Sequence, residues 1–267
     1  YFASRNGQAG GLNPDSDLVL TWPEGLNHLA QKMLPTPTKL ISGFALNIRE
    51  HSQGVDVLYQ NAGKALTLKA KRVICATPLH VTARLFGQID DYGFDAQHDV
   101  PTHAPWLVSN LYLDRFPRES NNSELAWDNV VYGSQSLGYV VATHQWLRAA
   151  KPQYTVFSAY HALAEYSPAD SRRWLQQAST AELAALGLKD LQQVYGPALW
   201  YGACGLELTV RGHAMPSPTV GFLGNKGRQA LQDADGKVLF AHSDLSGYAI
   251  FEEASWWGWQ AAGKVLM

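Results

Sequence analysis

The run Arg72-Val73-Ile74-Cys75-Ala76 is apolar without alternation and stops at Thr77-Pro78. A strand patterned this way is one buried on both faces, as in a parallel or mixed sheet. Leu79 to Phe86 reads as the helix that follows. Near the other end of the sequence, the turn Asp233-Ala234-Asp235-Gly236 introduces a short strand over Lys237 to Ala241, and a helix is expected from about Phe251 to Leu266. Strand and helix patterns together give a mixed α/β (α+β) chain.

The remaining segments extend that reading. Glu24 to Leu34 carries apolar residues at helical spacing, entered through Trp22-Pro23-Glu24-Gly25 and closed by Pro35 and Pro37. Lys39 to Arg49, Val55 to Tyr59 and Ala65 to Lys69 alternate apolar with polar residues across two turns, which predicts a three-stranded antiparallel meander. A second, aromatic-rich antiparallel sheet is expected from Pro105 to Leu113, Asn129 to Tyr132, Tyr139 to Thr143 and Tyr154 to His161. Ser167-Pro168-Ala169-Asp170 and Ser179-Thr180-Ala181-Glu182 are helix starts, with a serine ready to accept from a free backbone amide and a carboxylate three residues on. They predict helices over Pro168 to Gln177 and Thr180 to Tyr195, stopped by Gly196-Pro197. Trp200 to Arg211 reads as a strand.

Charge narrows the partners. With 21 Lys and Arg against 23 Asp and Glu, the net charge is −2, which argues against nucleic-acid binding. No apolar run approaches the roughly 20 residues of a bilayer-spanning helix, so no membrane partner is expected. Two cysteines cannot build a disulfide framework or a four-thiolate metal site, which suits a reducing compartment, and a cytoplasmic protein is expected. Charged residues make up 16%, below the roughly 25% of an average globular protein, while the chain holds 9 Trp, 12 Tyr and 9 Phe. The opening stretch YFASRNGQAGG reads like the middle of a domain, so the sequence is expected to be a piece of a longer protein, with exposed sheet edges that invite a homodimer.

Several motifs drop out on inspection. Gly258 to Lys264 has P-loop spacing, but Val265 stands where a Ser or Thr must bind magnesium, and the run lies in an expected helix. There is no nucleophile elbow, zinc helix, CxxC pair or GxGxxG after a strand. The 9 histidines are scattered, no two of them at i, i+4 on one helix, so no metal site is expected. What remains is Lys237 to Ala254, a strand, a short polar loop with an acid and a glycine, and a helix start. Backbone amides at such a start point toward negative charge on a ligand.

The tail FAHSDLSGYAIFEEASWWGWQAAGKVL resembles the C-terminal flavin-binding signature of the FAD-dependent amine oxidase superfamily, which includes monoamine oxidases, protoporphyrinogen oxidases and phytoene desaturase-like enzymes. Thr21-Trp22-Pro23-Glu24-Gly25 with the strand Leu40 to Ile48, the VICATP strand end and Gly212-His213-Ala214-Met215-Pro216-Ser217-Pro218 match the same family in the same order. The resemblance implies a discontinuous FAD-binding domain over 1–86 and 211–267 and a substrate-type domain over 87–210. It places Asp244 against the ribityl or phosphate part of FAD, with Gly247 in the same loop, and Ile250, Phe251 and Glu252 at a helix start facing the flavin pyrimidine edge. Thr77 and Pro78 match the turn passing the cofactor, and Ala45 the backbone that meets adenine. Asn110, Trp200 and Tyr201 are the candidate substrate contacts and His213 the candidate catalytic group.

The expected activity is FAD-dependent oxidation of a small-molecule substrate, with hydride transfer from a C–N or C–C bond to flavin N5. Three features depart from the family. The glycine-rich N-terminal βαβ unit is absent from these residues, so it is expected as a missing segment of the same protein, and this chain alone should bind FAD feebly or not at all. The strand Pro105 to Leu111 also lacks the lysine that many amine oxidases hold near flavin N5, and Arg211 stands where an aromatic is common. Both absences leave open an alternative, a non-catalytic binding or scaffold module that keeps the fold without its cofactor.

Overall fold

The computed structural model describes residues 22, 24–34, 38–119, 125–145 and 152–266. Thr21, Pro23 and the opening stretch lie outside them. Helix α1 (Leu26–Met33) is followed by two compact units, one of residues 38–103 with 215–266 and one of 104–214, with which α1 groups. The boundaries differ from those expected. Residues 87–103 fall in the first unit because Ile89, Phe94 and Val100 join its core, and α1 groups with the second.

In the unit of 38–103 and 215–266, strands β1 (Phe44–His51), β2 (Gly54–Asn61) and β3 (Lys64–Ala70) form the expected antiparallel meander. The β2–β3 turn takes positive φ at both central residues, Ala62 at 46° and Gly63 at 77°, the twist that matches a tight hairpin. β1 starts later than expected, at Phe44, and carries a bulge between Ala45 and Asn47. β4 (Val73–Cys75) leads into α2 (Leu79–Leu85) and a 3-10 turn at Ile89–Tyr92.

β4 pairs in parallel with β10 (Val238–Phe240), bracketed by Val73 N–H to Lys237 O at 2.8 Å and Ala241 N–H to Cys75 O at 2.9 Å. The parallel pairing agrees with the sequence pattern, but burial on both faces does not. Ile74 remains 37% exposed, because among the described residues β4 pairs with β10 alone. Cys75 is buried, and burial pushes its thiol up to about 12, so it packs as a small neutral apolar residue.

Two further helices complete this unit. α6 (Lys226–Asp233) has no counterpart in the sequence reading, although Asn225 caps it by accepting from Arg228 N–H at 2.6 Å. α7 (Phe251–Leu266) coincides with the expected C-terminal helix. The core gathers Ile48 and Val55 from the meander, Cys75, Leu79 and Phe86 around α2, and Leu231, Val238, Phe240 and Leu245 from the return segment. Burying each such side chain stabilises by about 1.5–3 kcal/mol.

The unit of 104–214 is built on β5 (His103–Leu113), β6 (Asp128–Asn129), β7 (Tyr139–Val141), β8 (Thr155–Ala162) and β9 (Ala203–Pro216), in the order β6-β7-β8-β5-β9. β5 and β8 bury alternate residues, which sends Leu111, Leu113, Phe157 and Ala159 into one core with Leu188, Leu191 and Tyr195. α3 (Pro168–Gln177) begins where expected, with Ser167 Oγ accepting from Asp170 N–H at 3.2 Å. The Ser179–Glu182 pair forms a reciprocal capping box.

Two expectations fail in this unit. Thr180 to Tyr195 is not one helix but α4 (Thr180–Gly187) and α5 (Lys189–Tyr195), broken at Leu188. A Cβ on Gly187 would lie 1.9 Å from Ser109 Oγ, so backbone and sheet touch there, and the bend lets Leu188 and Leu191 both enter the core. Trp200 and Tyr201 are not strand residues. Pro197 starts a 3-10 turn over Gly196–Tyr201, which leaves Trp200 48% and Tyr201 76% exposed. Among the described residues no helix is long and apolar enough to cross a membrane.

Candidate functional site

The parallel pairing of β4 and β10 brings two strand ends side by side, at Thr77-Pro78 and at His242 to Gly247. Ligands of α/β proteins bind beyond the carboxyl ends of parallel strands. Here the segment after β10 closes into a short 3-10 turn, Ser243–Leu245, capped by His242 Nδ1 accepting from Asp244 N–H at 3.0 Å. Asp244 is the centre of the arrangement and is fully buried. Its Oδ2 accepts from Leu79 N–H, at the start of α2, at 2.9 Å, and its Oδ1 lies 3.0 Å from His103 Nε2.

His103 Nδ1 is 2.9 Å from the Pro101 carbonyl oxygen. A carbonyl only accepts, so Nδ1 carries the hydrogen. Nε2 then either holds a second proton against Asp244 or presents its lone pair to a cation between the two groups. Burial works against the Asp244 charge, but His103 and His242 beside it outweigh that and hold its carboxyl well below the usual carboxylate range. His80 completes the group, its ring meeting that of His103 edge-on at 4.9 Å between centroids.

Neighbouring contacts fix the loop. Buried Arg228 donates from Nη1 to Leu245 O, from Nε to Phe222 O at 3.2 Å and from Nη2 to Leu223 O at 2.9 Å. Its guanidinium also lies 4.7 Å from the centroid of the Phe222 ring. Gly247 adopts φ +79°, and a Cβ there would sit 2.6 Å from the Phe222 ring. Ser246 Oγ donates to Glu253 Oε2 at 2.6 Å and accepts from Trp257 Nε1 at 3.2 Å, which ties the loop to α7. The first amides of α7 are the free donors of a helix start.

The structure thus gathers Thr77, Pro78, Asp244 and Gly247 into one region, with Ile250, Phe251 and Glu252 at the start of α7. Thr77 Oγ1 is bonded to Thr82 Oγ1 at 2.8 Å. Ala45 is exposed on the β1 bulge. The other unit carries the remaining candidates. Asn110 is half-buried on β5 with its Oδ1 accepting from Ser158 Oγ at 2.7 Å, and His213 lies exposed on β9. None of Asn110, Trp200, Tyr201 or His213 lines the cavity of about 460 Å³ among His161, Trp174, Lys189 and their neighbours.

His80, His103 and Arg228 were not singled out by sequence. His103 opens a strand through the sequence Val100-Pro101-Thr102-His103, and nothing in its spacing relates it to Asp244, 141 residues away. Arg228 offered one clue, a cation three residues before Leu231 on a helix face that the structure buries.

No known protein-family signature and no curated protein sequence matches the chain. Solved structures do. A putrescine oxidase superposes on 91% of the chain with TM-score 0.63 and 15% identity, matching 53% of its own length. The chain has the fold of the FAD-dependent amine oxidases. A putative protoporphyrinogen oxidase from Exiguobacterium sp. 255-15 gives TM-score 0.61 at 14% identity over 92% of this chain and 52% of its own. A UDP-galactopyranose mutase gives TM-score 0.58 at 10% identity over 91% and 51%. The chain therefore spans about half the length of these structures. Oxidases and a mutase share the amine oxidase fold, so the fold by itself does not choose the chemistry.

The residues meet an FAD in part. The α7 start offers amide donors to a group that gains negative charge, and the glycine at 247 lets the loop turn tightly ahead of that helix. Asp244, by contrast, has protein partners at both carboxylate oxygens, and no glycine-rich phosphate cradle occurs in the sequence. The donors at the α7 start are of the kind a flavin edge needs, and the sequence holds no glycine-rich turn for a pyrophosphate.

Proposed function

We propose that this chain is the part of an FAD-dependent, amine oxidase-type oxidoreductase that holds the flavin ring and binds the substrate, in a protein whose glycine-rich pyrophosphate unit lies outside this sequence. The observation that carries the reading is the amine oxidase fold over nine-tenths of the chain, with a strand end, polar loop and helix start where a flavin edge would be received. When bound, the flavin supplies the acceptor for a hydride equivalent taken from a C–N or C–C bond. Ile250 N–H already donates to Tyr248 O at 2.9 Å, so the amides at Phe251 and Glu252 are the ones that would favour negative charge at the pyrimidine edge, by about 0.3–1 kcal/mol, more where shielded from water. Thr77 and Pro78 would shape the turn beside the cofactor, and the backbone at Ala45 would receive the adenine. Asn110, Trp200 and Tyr201 contact a small-molecule substrate, and His213 is the candidate proton-handling group.

The polypeptide as encoded, loaded with FAD and kept anaerobic, is expected to lose its flavin absorption on adding at least one member of a panel of primary amines and polyamines. Bleaching by none of them in a protein that holds flavin would remove the amine assignment. The competing reading, a scaffold that keeps the fold without the cofactor, draws support from the engaged Asp244 and the absent glycine turn, and predicts no flavin at all.

A further inference from the structure

We propose that His80, His103 and Asp244 form a binding site for one divalent transition-metal ion of the zinc type. One ligand atom from each residue lies within 4.8 Å of the other two. The site shares the loop after β10 with the flavin reading but does not rest on it, because its ligands are Asp244, whose two oxygens already have protein partners, with His80 at the start of α2 and His103, the first residue of β5.

Three features give it the form of a metal site. The Pro101 carbonyl takes the Nδ1 hydrogen of His103 at 2.9 Å, which fixes the ring and turns the Nε2 lone pair toward Asp244. Such outer hydrogen bonds orient metal-bound histidines. Leu79 N–H holds Asp244 Oδ2 at 2.9 Å, leaving Oδ1 as a one-oxygen ligand. Oδ1 and Nε2 stand 3.0 Å apart, and ligands about 2.0–2.1 Å from a tetrahedral zinc are about 3.3 Å apart, so this edge needs to open by only a few tenths of an ångström.

His80 must move further, by roughly 1 to 1.5 Å to reach that same separation. It is half-buried in the first turn of α2, where a change of side-chain torsion supplies such a shift. Two imidazoles and one carboxylate select zinc and its neighbours over calcium or magnesium, which favour all-oxygen shells. A water completes four-coordination. The ion would fasten α2, the β5 start and the β10 loop of one unit together, a structural role.

The test uses the 267-residue chain stripped with a chelator and titrated with zinc chloride by calorimetry, with cobalt(II) as a spectroscopic stand-in. The expected result is one zinc per chain, visible cobalt bands of tetrahedral intensity and a raised unfolding midpoint. His80→Ala and Asp244→Asn should each weaken zinc at least tenfold, while His98→Ala, on the exposed Asp95–His98 pair, should not. Circular dichroism establishes that the variants are folded. Asp244→Asn keeps an acceptor for Leu79 N–H, so at least one variant isolates the ligand from the fold. Absence of zinc binding by the unaltered chain would mean that a proton occupies the space between His103 and Asp244 and would overturn the proposal. So would binding that neither variant weakens.

Discussion

Asp244→Ala is expected to lower stability by about 3–5 kcal/mol, the cost of removing one partner from a buried polar pair. The carboxylate is fully buried, and its loss leaves Leu79 N–H at the helix start without an acceptor and His103 Nε2 facing a void. Asp244→Asn should cost much less, about 1 kcal/mol. Its carbonyl oxygen still serves Leu79, and its amide can donate to an Nε2 whose ring has already placed a hydrogen on Nδ1. Urea unfolding of the chain and both variants checks this through the midpoints. Equal losses for Ala and Asn would contradict the assigned pattern of donors and acceptors.

Gly247→Ala is expected to cost about 2–4 kcal/mol. The φ of +79° strains any residue with a Cβ, and that Cβ would press to 2.6 Å from the Phe222 ring and 3.1 Å from Pro218. Overpacking of this kind costs about 1–3 kcal/mol, and Phe222 is poorly placed to yield because Arg228 lies over its ring and bonds its carbonyl. Gly258→Ala makes the control, since a Cβ there would meet nothing within 4 Å and alanine favours a helix interior. A Gly247 variant as stable as the Gly258 variant would show that the loop takes another course.

The sequence was most legible where local chemistry decides the outcome. Ser167 and Ser179 mark helix starts by accepting the amides three residues on, and the structure uses both. The meander follows from alternation, and α7 from a long apolar run without proline. The break at Leu188 was hidden because the cause is a contact between Gly187 and Ser109, far apart in sequence. Trp200 and Tyr201 looked like strand residues because aromatics suit strands, whereas Gly196-Pro197 had already started a 3-10 turn.

The site divides in the same way. Asp244, Gly247 and the start of α7 form one continuous segment with a pattern of its own. His80 reaches Asp244 through the parallel pairing of β4 with β10, and His103 through the packing of Ile89, Phe94 and Val100 on the same core, and no spacing rule for metal or catalytic histidines spans such gaps. Ile74 shows the limit of reading burial from an apolar run, since a strand's second face is covered only if another element is there to cover it.

Titration with FAD, followed by visible absorption, tests the flavin assignment most directly, using the full encoded polypeptide beside the 267-residue chain. The full polypeptide should hold one FAD per chain with flavin absorption, and the 267-residue chain should bind it feebly because its sequence has no pyrophosphate cradle. A full polypeptide that stays colourless with FAD in excess would contradict the flavoprotein account. Tight, stoichiometric binding by the 267 residues alone would contradict the division of the cofactor site.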